Sequence, residues 1–106
     1  MPLVFSYGDM VMRVDGDVLE IFIPGAFSHR ILLPHLAVQV EPAIRGRLIV
    51  KIASASPDRP LYQVMRKAAG LVGSKVERVI ATEEEPIYRE FFTQVAQLCG
   101  RGVAVH

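Results

Sequence analysis

Residues 10–23 read MVMRVDGDVLEIFI, and this stretch decides how the fold begins. Two alternating apolar runs flank the pair Asp15-Gly16, which favours the two-residue type I′ turn of a β-hairpin. A turn at this pair places Met12 opposite Leu19, so the hairpin is expected to have one apolar face.

The other face of the same hairpin carries both charged and apolar side chains. Arg13 and Glu20 are expected there as diagonal neighbours on adjacent strands. The second strand should end at Pro24-Gly25, because proline cannot donate a ladder hydrogen bond and glycine permits a turn.

Two further strands are expected downstream of the hairpin. A third apolar run covers residues 30–40, with Pro34 indicating a sheet edge or a bulge. A loop at 42–46 leads to a fourth strand at 48–52. Every second side chain of this strand, at positions 48, 50 and 52, is apolar and is expected to face inward. Two consecutive hairpins of this kind form an antiparallel meander.

The stretch 61–73 is compatible with two structures. Its apolar residues follow helical spacing, yet residues 61–65 also read as a short strand. We favour the strand and keep a second helix as the alternative. Residues 76–81 are rich in β-branched side chains and predict the final strand.

The last element predicted is an amphipathic helix. Thr82 followed by Glu85 fits a capping box, and Gly100 provides a left-handed stop. The apolar side chains recur at steps of four, four and three, which predicts one buried face made of Ile87, Phe91, Val95 and Leu98.

Length, composition and charge limit the class of protein. The chain has 106 residues, of which 51% are hydrophobic and 22% charged, which predicts one globular domain spanning 1–106. A net charge of +1 creates no long-range field, so nucleic acid is not an expected partner and membrane binding is disfavoured.

Cysteine content and the N-terminal residues bear on the compartment. Cys99 is the one cysteine, which excludes an internal disulfide and is typical of a reducing environment. Residues 1–5 lack the features of a signal peptide, and no apolar stretch reaches the roughly 20 residues that span a bilayer. We therefore expect a cytoplasmic protein.

The three residues His29, Arg30 and His35 form the one cluster suited to acid–base or ligand-binding chemistry. The two histidines lie on opposite sides of Pro34, at a spacing that matches neither a strand face nor a helical metal pair. Structural or surface histidines are the favoured interpretation, and a small-ligand or enzymatic site is the alternative.

Two aromatic residues of the helix give a candidate interface. Phe92 lies one step off the apolar stripe and either widens the buried face or projects outward; if it projects, with Tyr88 nearby, it is a candidate for an oligomer contact. Core packing is the favoured interpretation of both residues. Cys99 ends the apolar face and is expected to pack there. No glycine-rich phosphate loop is present, and we expect no cofactor and no metal.

The order of elements resembles a bacterial pleckstrin-homology-like (PH-like) domain, a strongly bent seven-stranded barrel plugged by a C-terminal helix. The resemblance rests on the Asp15-Gly16 hairpin, on strands 36–41 and 48–52, and on the apolar helix face. It implies binding or scaffolding, with peptides, other proteins or phosphoinositides as partners. The loop Asp15-Gly16-Asp17 lacks the basic residues of phosphoinositide binders, which disfavours a lipid headgroup.

The sequence thus predicts an α+β fold, either a PH-like barrel or a strongly bent antiparallel sheet closed by one C-terminal helix. An antiparallel sheet with two helices is the alternative. The leading functional hypothesis is a non-enzymatic protein-interaction or scaffolding module that binds a protein partner or a second copy, forming a homo-oligomer.

Overall fold

The computed structural model describes residues 3–25 and 28–105, with Ser74 described by its backbone. These residues form nine strands and one α-helix. In chain order they are β1 (Val4–Tyr7), β2 (Met10–Asp15), β3 (Val18–Phe22), β4 (His29–Leu32), β5 (Leu36–Pro42), β6 (Arg47–Ser54), β7 (Tyr62–Val64), β8 (Val72–Ala81), α1 (Glu85–Cys99) and β9 (Val103–Ala104).

The strands are arranged in two sheets. Sheet A is the antiparallel meander β1-β2-β3-β4, and sheet B has the order β8-β6-β5-β7-β9. In sheet B, β6 is antiparallel to β5 and β8, whereas β7 is parallel to both β5 and β9. The predicted α+β class with one C-terminal helix is confirmed, but the described strands do not close into a barrel.

The predicted hairpin forms, with its register shifted by two residues. Met12 lies opposite Ile21, and Asp15 opposite Val18, so the turn consists of Gly16 and Asp17. Gly16 has φ 62° and Asp17 does not have a positive φ, which is the pattern of a type II′ turn with glycine at its first central position. Because the shift is even, the predicted apolar face still points inward.

The third apolar run is split between the two sheets instead of forming one strand. β4 ends at Leu32, a 3-10 turn covers Leu33–His35, and β5 begins at Leu36. Pro34 lies inside the turn, where its fixed φ is tolerated and no ladder donor is needed. The chain passes from sheet A to sheet B at this proline.

β5 is also buried more completely than its alternation predicts. All five residues from 36 to 40 are buried, Gln39 among them. The side-chain amide of Gln39 donates to the carbonyl of Ala69 and accepts from the Ala69 amide, both at 2.8 Å. The irregular chain between β7 and β8 therefore covers the outer side of β5, and the polar group buried there is satisfied.

The ambiguous stretch 61–73 contains the strand β7, and no helix lies between positions 61 and 73. The favoured prediction is confirmed, although β7 has three residues and is parallel to β5. The predicted strand at 76–81 is longer, because β8 begins at Val72. The short strand β9 was not predicted.

The helix starts differently from the predicted capping box. A 3-10 turn covers Thr82–Glu84, and the carboxylate of Glu84 accepts the backbone amide of Ala81 at 2.8 Å. Glu85 begins α1, and its side chain is buried against Tyr62 and Arg89 instead of reaching back to Thr82. The glutamate that reaches back to a backbone amide is therefore Glu84 instead of Glu85, and no side-chain hydrogen bond caps the start of α1.

The buried face of α1 is rotated relative to the prediction. Phe91 and Val95 are buried as predicted, but Ile87 and Leu98 are exposed. The other buried apolar positions are Tyr88, Phe92 and Ala96. The helix packs on both sheets, with the Tyr88 ring stacked on Phe5 of β1 at 5.0 Å and the Phe92 ring on Tyr62 of β7 at 6.0 Å. Contact with two sheets widens the buried stripe.

Candidate functional site

The three residues considered as an alternative ligand site, His29, Arg30 and His35, do not share one surface. His29 and Arg30 are successive residues of β4 and point to opposite faces of sheet A. His35 is exposed in the 3-10 turn, where its Nδ1 lies 3.3 Å from the carbonyl oxygen of Ala55.

Arg30 already has a partner within sheet A. Its Nε and Nη2 donate to Oε2 of Glu20 at 3.1 and 2.8 Å. Arg13 donates to the other oxygen of the same carboxylate, with its Nε at 3.1 Å. The arginine of the predicted cluster therefore belongs to a cross-strand set of charges and not to a pocket shared with the histidines.

The two candidate interface residues of α1 are core residues. Tyr88 and Phe92 are buried, and their rings contact Phe5 and Tyr62. Neither side chain offers a surface to a partner, and core packing explains both. Within residues 3–25 and 28–105, no group of three His, Cys, Asp or Glu side chains is placed to hold a metal ion.

A concave apolar surface lies on the outer side of sheet B, and we call it the groove. Its volume is about 510 Å³. The residues that line it come from the β5–β6 loop, β6 and β8, and they are Ala43, Ile44, Arg45, Arg47, Ile49 and Val79. All its lining side chains are aliphatic or cationic.

The floor of the groove follows from the register of two strands. Ile49 of β6 lies directly opposite Val79 of β8, and alternation turns both side chains away from the core. Val79 is 59% exposed, and Ile44 in the adjacent loop is 78% exposed. One side chain of the floor, Val79, and one beside it, Ile44, are thus open to solvent.

The loop that carries Ile44 has an unusual backbone. Arg45 has φ 59° and ψ 38°, and it is followed by Gly46 with φ 70°. Among the described residues, Arg45 alone has a positive φ without being glycine. The left-handed region costs a residue with a Cβ roughly 1 kcal/mol or more. The hydrogen bond from the Ala43 amide to the Arg47 carbonyl, 2.8 Å long, closes the loop in this form.

Positive charge borders the groove. Arg45 and Arg47 are exposed, and neither forms an ion pair with another described residue. The positive charge of Arg47 acts on the carboxylate of Glu84. Hydrogen bonds from Tyr7 and from the Ala81 amide lower the pKa of Glu84, and the charge of Arg47 lowers it further.

The acidic residue closest in register to the groove is already neutralised. Glu41 of β5 lies opposite Ile49, but its carboxylate is 2.6 Å from Nζ of Lys51 and accepts the Ala68 amide at 2.6 Å. Both contacts lower the pKa of Glu41, and the contact with Lys51 has the larger effect. Glu77 lies on the same outward side of β8 as Val79, opposite Lys51. The positive charge of the groove therefore comes from its own lining residues, Arg45 and Arg47.

Sequence reasoning treated residues 42–46 only as a loop and missed the groove. One signal was available, because a large apolar residue, Ile44, stands in a segment that was predicted to be a surface loop. The outward direction of Val79 required the register of β8, which the sequence did not provide.

Comparison with protein-family models, curated proteins and solved structures yields no match for this chain. In the described ranges, α1 does not have the length and apolar character that a membrane-spanning helix needs.

Proposed function

We propose that this chain is a non-enzymatic protein-interaction module whose groove binds a segment of an acidic partner protein. The segment carries one apolar side chain flanked by carboxylates. The observation that carries the proposal is an apolar concavity of about 510 Å³ in which, among the described residues, the charged lining residues are Arg45 and Arg47.

The size and lining of the groove support an apolar anchor. Binding sites commonly have volumes of roughly 300–1,000 Å³ and apolar walls. Ile44, Ile49 and Val79 provide such walls here. Burying one exposed isoleucine or valine side chain contributes about 1.5–3 kcal/mol, which is enough to anchor a peptide but not to specify it.

The charge of the rim supports an acidic partner. A guanidinium group binds a carboxylate through two parallel hydrogen bonds, which add direction to the attraction. Exposed arginines also favour fast association with an acidic partner at low salt. A basic partner would meet Arg45 and Arg47 with like charge.

The backbone of Arg45 supports a role for its side chain. Strained residues persist where the surrounding structure requires them, and they are common at binding sites. Glycine at position 45 would relieve the strain, yet the sequence has arginine there beside Gly46. The guanidinium at the rim of the groove is what this arginine supplies.

The test is a subtractive selection from a phage-displayed library of random peptides. The library is first depleted on the Ile44→Asp variant and then selected on the wild-type chain. Enriched peptides should contain an apolar residue bracketed by Asp or Glu, and the Ile44→Asp substitution should weaken their binding at least about tenfold.

The matched control is Leu98→Asp, which places the same charge at a helix position that is 63% exposed. Peptides selected for the groove should bind this variant as tightly as the wild type. No enrichment, enrichment of basic peptides, or equal loss in both variants would overturn the proposal. If the wild type self-associates in sedimentation and Ile44→Asp abolishes this, the occupant is a second copy and not a separate acidic partner.

The alternative of a small-ligand or enzymatic site centred on His29, Arg30 and His35 is not proposed further. The side chains of the first two point to opposite faces, and Arg30 is bound to Glu20.

A further inference from the structure

The strand β8 has an open side, and we call residues 75–79 on that side the β8 edge. β8 is the outermost strand of sheet B, and β6 pairs with one of its sides. Among the described residues, no backbone hydrogen bond reaches its other side. With ten residues, β8 is also the longest of the nine described strands. A long open edge is a template on which another strand can pair.

The hydrogen-bond pattern of sheet B determines which backbone groups point to this open side. In an antiparallel ladder, successive residues of a strand direct their amide and carbonyl to alternate sides. The bond from the Ala43 amide to the Arg47 carbonyl turns the odd-numbered residues of β6 towards β5, so its even-numbered residues face β8. Their partners in β8 are even-numbered too. The amides and carbonyls of residues 75, 77 and 79 therefore point away from β6.

Ala81 gives independent evidence for this direction. Its amide donates to the carboxylate of Glu84 at 2.8 Å, as expected if the odd positions of β8 face away from β6. The same hydrogen bond closes the end of the edge, because it uses a donor that another strand would need. The backbone groups left open are those of Lys75, Glu77 and Val79.

Two opposite charges stand on the β8 edge. Lys75 and Glu77 are both exposed, and alternation places them on the same face of sheet B. Neither forms an ion pair with another described residue. Lys51 lies opposite Glu77 in the ladder, but it is bound to Glu41 at 2.6 Å. Lys75 and Glu77 together carry no net charge, so the order of the two charges distinguishes one partner from another.

We propose that the β8 edge binds the β8 edge of a second copy of this chain, as an antiparallel pair with a two-fold axis at Val76. Lys75 of each copy then lies opposite Glu77 of the other, and the two residues exchange both backbone hydrogen bonds. The two copies of sheet B become one continuous sheet. This inference goes beyond the proposal for the groove, which assigns a different partner to the face of the sheet.

Symmetry leaves few registers for such a pair, and the charges distinguish them. Odd-numbered residues must lie opposite odd-numbered residues, because only these offer open backbone groups. An axis at Lys75 places two lysines opposite each other, and an axis at Glu77 places two glutamates there, which is destabilising. An axis at Arg78 places Lys75 opposite Ala81, whose amide is already bound. Of these four registers, the one centred on Val76 brings opposite charges together, twice in each dimer.

Self-complementarity favours a second copy over another extended segment. A lysine on an open edge commonly discourages pairing, but here it meets Glu77 of the second copy. Opposite charges directly across two strands stabilise the pair. On the inner face Val76 meets its own equivalent. It is 4% exposed and lies opposite Ile52, so an apolar row continues across the axis.

The test is sedimentation equilibrium of the wild type and of charge-reversed variants over a wide range of concentration. The wild type should form a dimer. Lys75→Glu places glutamates opposite each other at two sites, and Glu77→Lys does the same with lysines. Each substitution should therefore raise the dissociation constant at least about tenfold. The double variant Lys75→Glu, Glu77→Lys should dimerise like the wild type, because its charges are exchanged but remain complementary.

A mixture of the two single variants should form a heterodimer for the same reason. Amide hydrogen exchange adds a readout of the interface, since the amides of Lys75 and Glu77 should exchange more slowly as the wild-type concentration is raised. A thermal melt of each variant shows that it folds. Arg66→Glu is the matched control, because it makes the same change of charge at an exposed position outside β8, and it should dimerise like the wild type.

The inference would be overturned by a wild type that stays monomeric, or by an unchanged dissociation constant in either single variant. Failure of the double variant to dimerise, or exchange rates at Lys75 and Glu77 that do not depend on concentration, would also contradict it. Ile44→Asp should leave the dimer intact. Loss of the dimer in Ile44→Asp would refute pairing through the β8 edge, because the two copies would then meet through the groove.

Discussion

The hydroxyl of Tyr62 donates a hydrogen bond of 2.5 Å to Oε2 of Glu85, which joins the parallel strand β7 to the first turn of α1. Both residues are buried, and Arg89 binds the same carboxylate from the next turn of the helix. Burial, followed by the hydrogen bond to Glu85, raises the pKa of Tyr62 far above its ordinary value. The phenol is therefore protonated, and a hydrogen-bond donor, at neutral pH.

Removal of this hydroxyl should destabilise the fold. Tyr62→Phe keeps the ring packed on Phe92 but leaves Glu85 with one partner fewer in the core. A hydrogen bond to a charged group contributes about 2 kcal/mol, and urea unfolding should show a loss of that order.

Tyr7→Phe is the matched control for this substitution. The Tyr7 hydroxyl also donates to a glutamate, Glu84, but in a more exposed position. Tyr7→Phe should therefore lower the free energy of unfolding by less than Tyr62→Phe does. Equal losses for the two tyrosines would show that burial does not strengthen the bond between Tyr62 and Glu85.

Acid should weaken the same pair. The hydrogen bonds from Arg89, followed by that from Tyr62, hold the pKa of Glu85 below its ordinary value of 4.5. Because the folded-state pKa is lower than the unfolded one, the stabilisation is present at neutral pH and fades as the pH falls below about 4.5. Glu85→Gln should be less stable at pH 7, and its disadvantage should shrink as the pH is lowered below about 4.5.

The measurement is the midpoint of thermal unfolding at several pH values, with Glu90→Gln as control. Glu90 is an exposed glutamate on the same helix. If the difference between wild type and Glu85→Gln stayed constant with pH, the carboxylate of Glu85 would not be the group that stabilises the helix start.

Relief of the strain at Arg45 should separate stability from binding. Arg45→Gly removes a Cβ at φ 59° and should raise the free energy of unfolding by up to about 1 kcal/mol. Arg45→Ala keeps the Cβ and should bring no such gain. Both substitutions remove the guanidinium, so both should weaken the peptides selected for the groove. A loss of stability in Arg45→Gly would contradict the role assigned to strain.

Arg101 should be the most sensitive basic residue to replacement. Its guanidinium donates to the carbonyls of Leu33, Leu36 and Arg59, which joins the turn between the sheets to the loop before β7. Burial lowers its pKa, which expresses the cost of keeping the charge there. Arg101→Met would leave three carbonyls without this donor and should cost about 2–4 kcal/mol in chemical denaturation.

The geometry of a guanidinium should matter as well as its charge. Arg101→Lys should recover only part of the lost stability, because one ammonium group cannot reproduce the planar fork of donors. Arg66→Met is the control, because Arg66 is exposed. Full recovery by lysine would mean that charge alone accounts for the effect of Arg101.

Local patterns in the sequence predicted the elements of this fold better than their arrangement. Alternation and the Asp-Gly pair were enough to predict the β2–β3 hairpin, and spacing was enough to predict α1. The exact turn depended on glycine occupying the first central position, and a competing turn differed only by two residues of register. Local propensity does not distinguish these two registers strongly.

Long-range pairing was beyond the reach of the sequence. The parallel contacts of β7 with β5 and β9 leave no periodicity different from that of an antiparallel strand in so short a segment. Pro34 was recognised as an interruption, but nothing local shows that the chain changes sheets there. The buried face of α1 was mispredicted for the same reason: it depends on long-range contacts with both sheets, which the local sequence does not show.

Candidate site residues depended on that arrangement. His29, Arg30 and His35 are close in sequence, yet strand alternation turns Arg30 away from His29, and His35 lies in the turn that follows β4. Glu20 and Arg30, in contrast, are brought together by the register of β3 and β4. Sequence proximity identified residues with suitable chemistry, and only the register determined which of them meet.

The position of β9 bears on the order in which the chain folds. Each strand of sheet A pairs with a strand next to it in the sequence. In sheet B, Tyr62 of β7 pairs with Val103 of β9, and β8 and α1 lie between these two residues in the chain. Closing the longer loop costs more entropy, so sheet A should consolidate early and β9 should dock last. Until it docks, β7 presents an open strand edge to which another chain can add. Val103 and Ala104 of β9 thus cover the edge of β7 and prevent another chain from pairing with it.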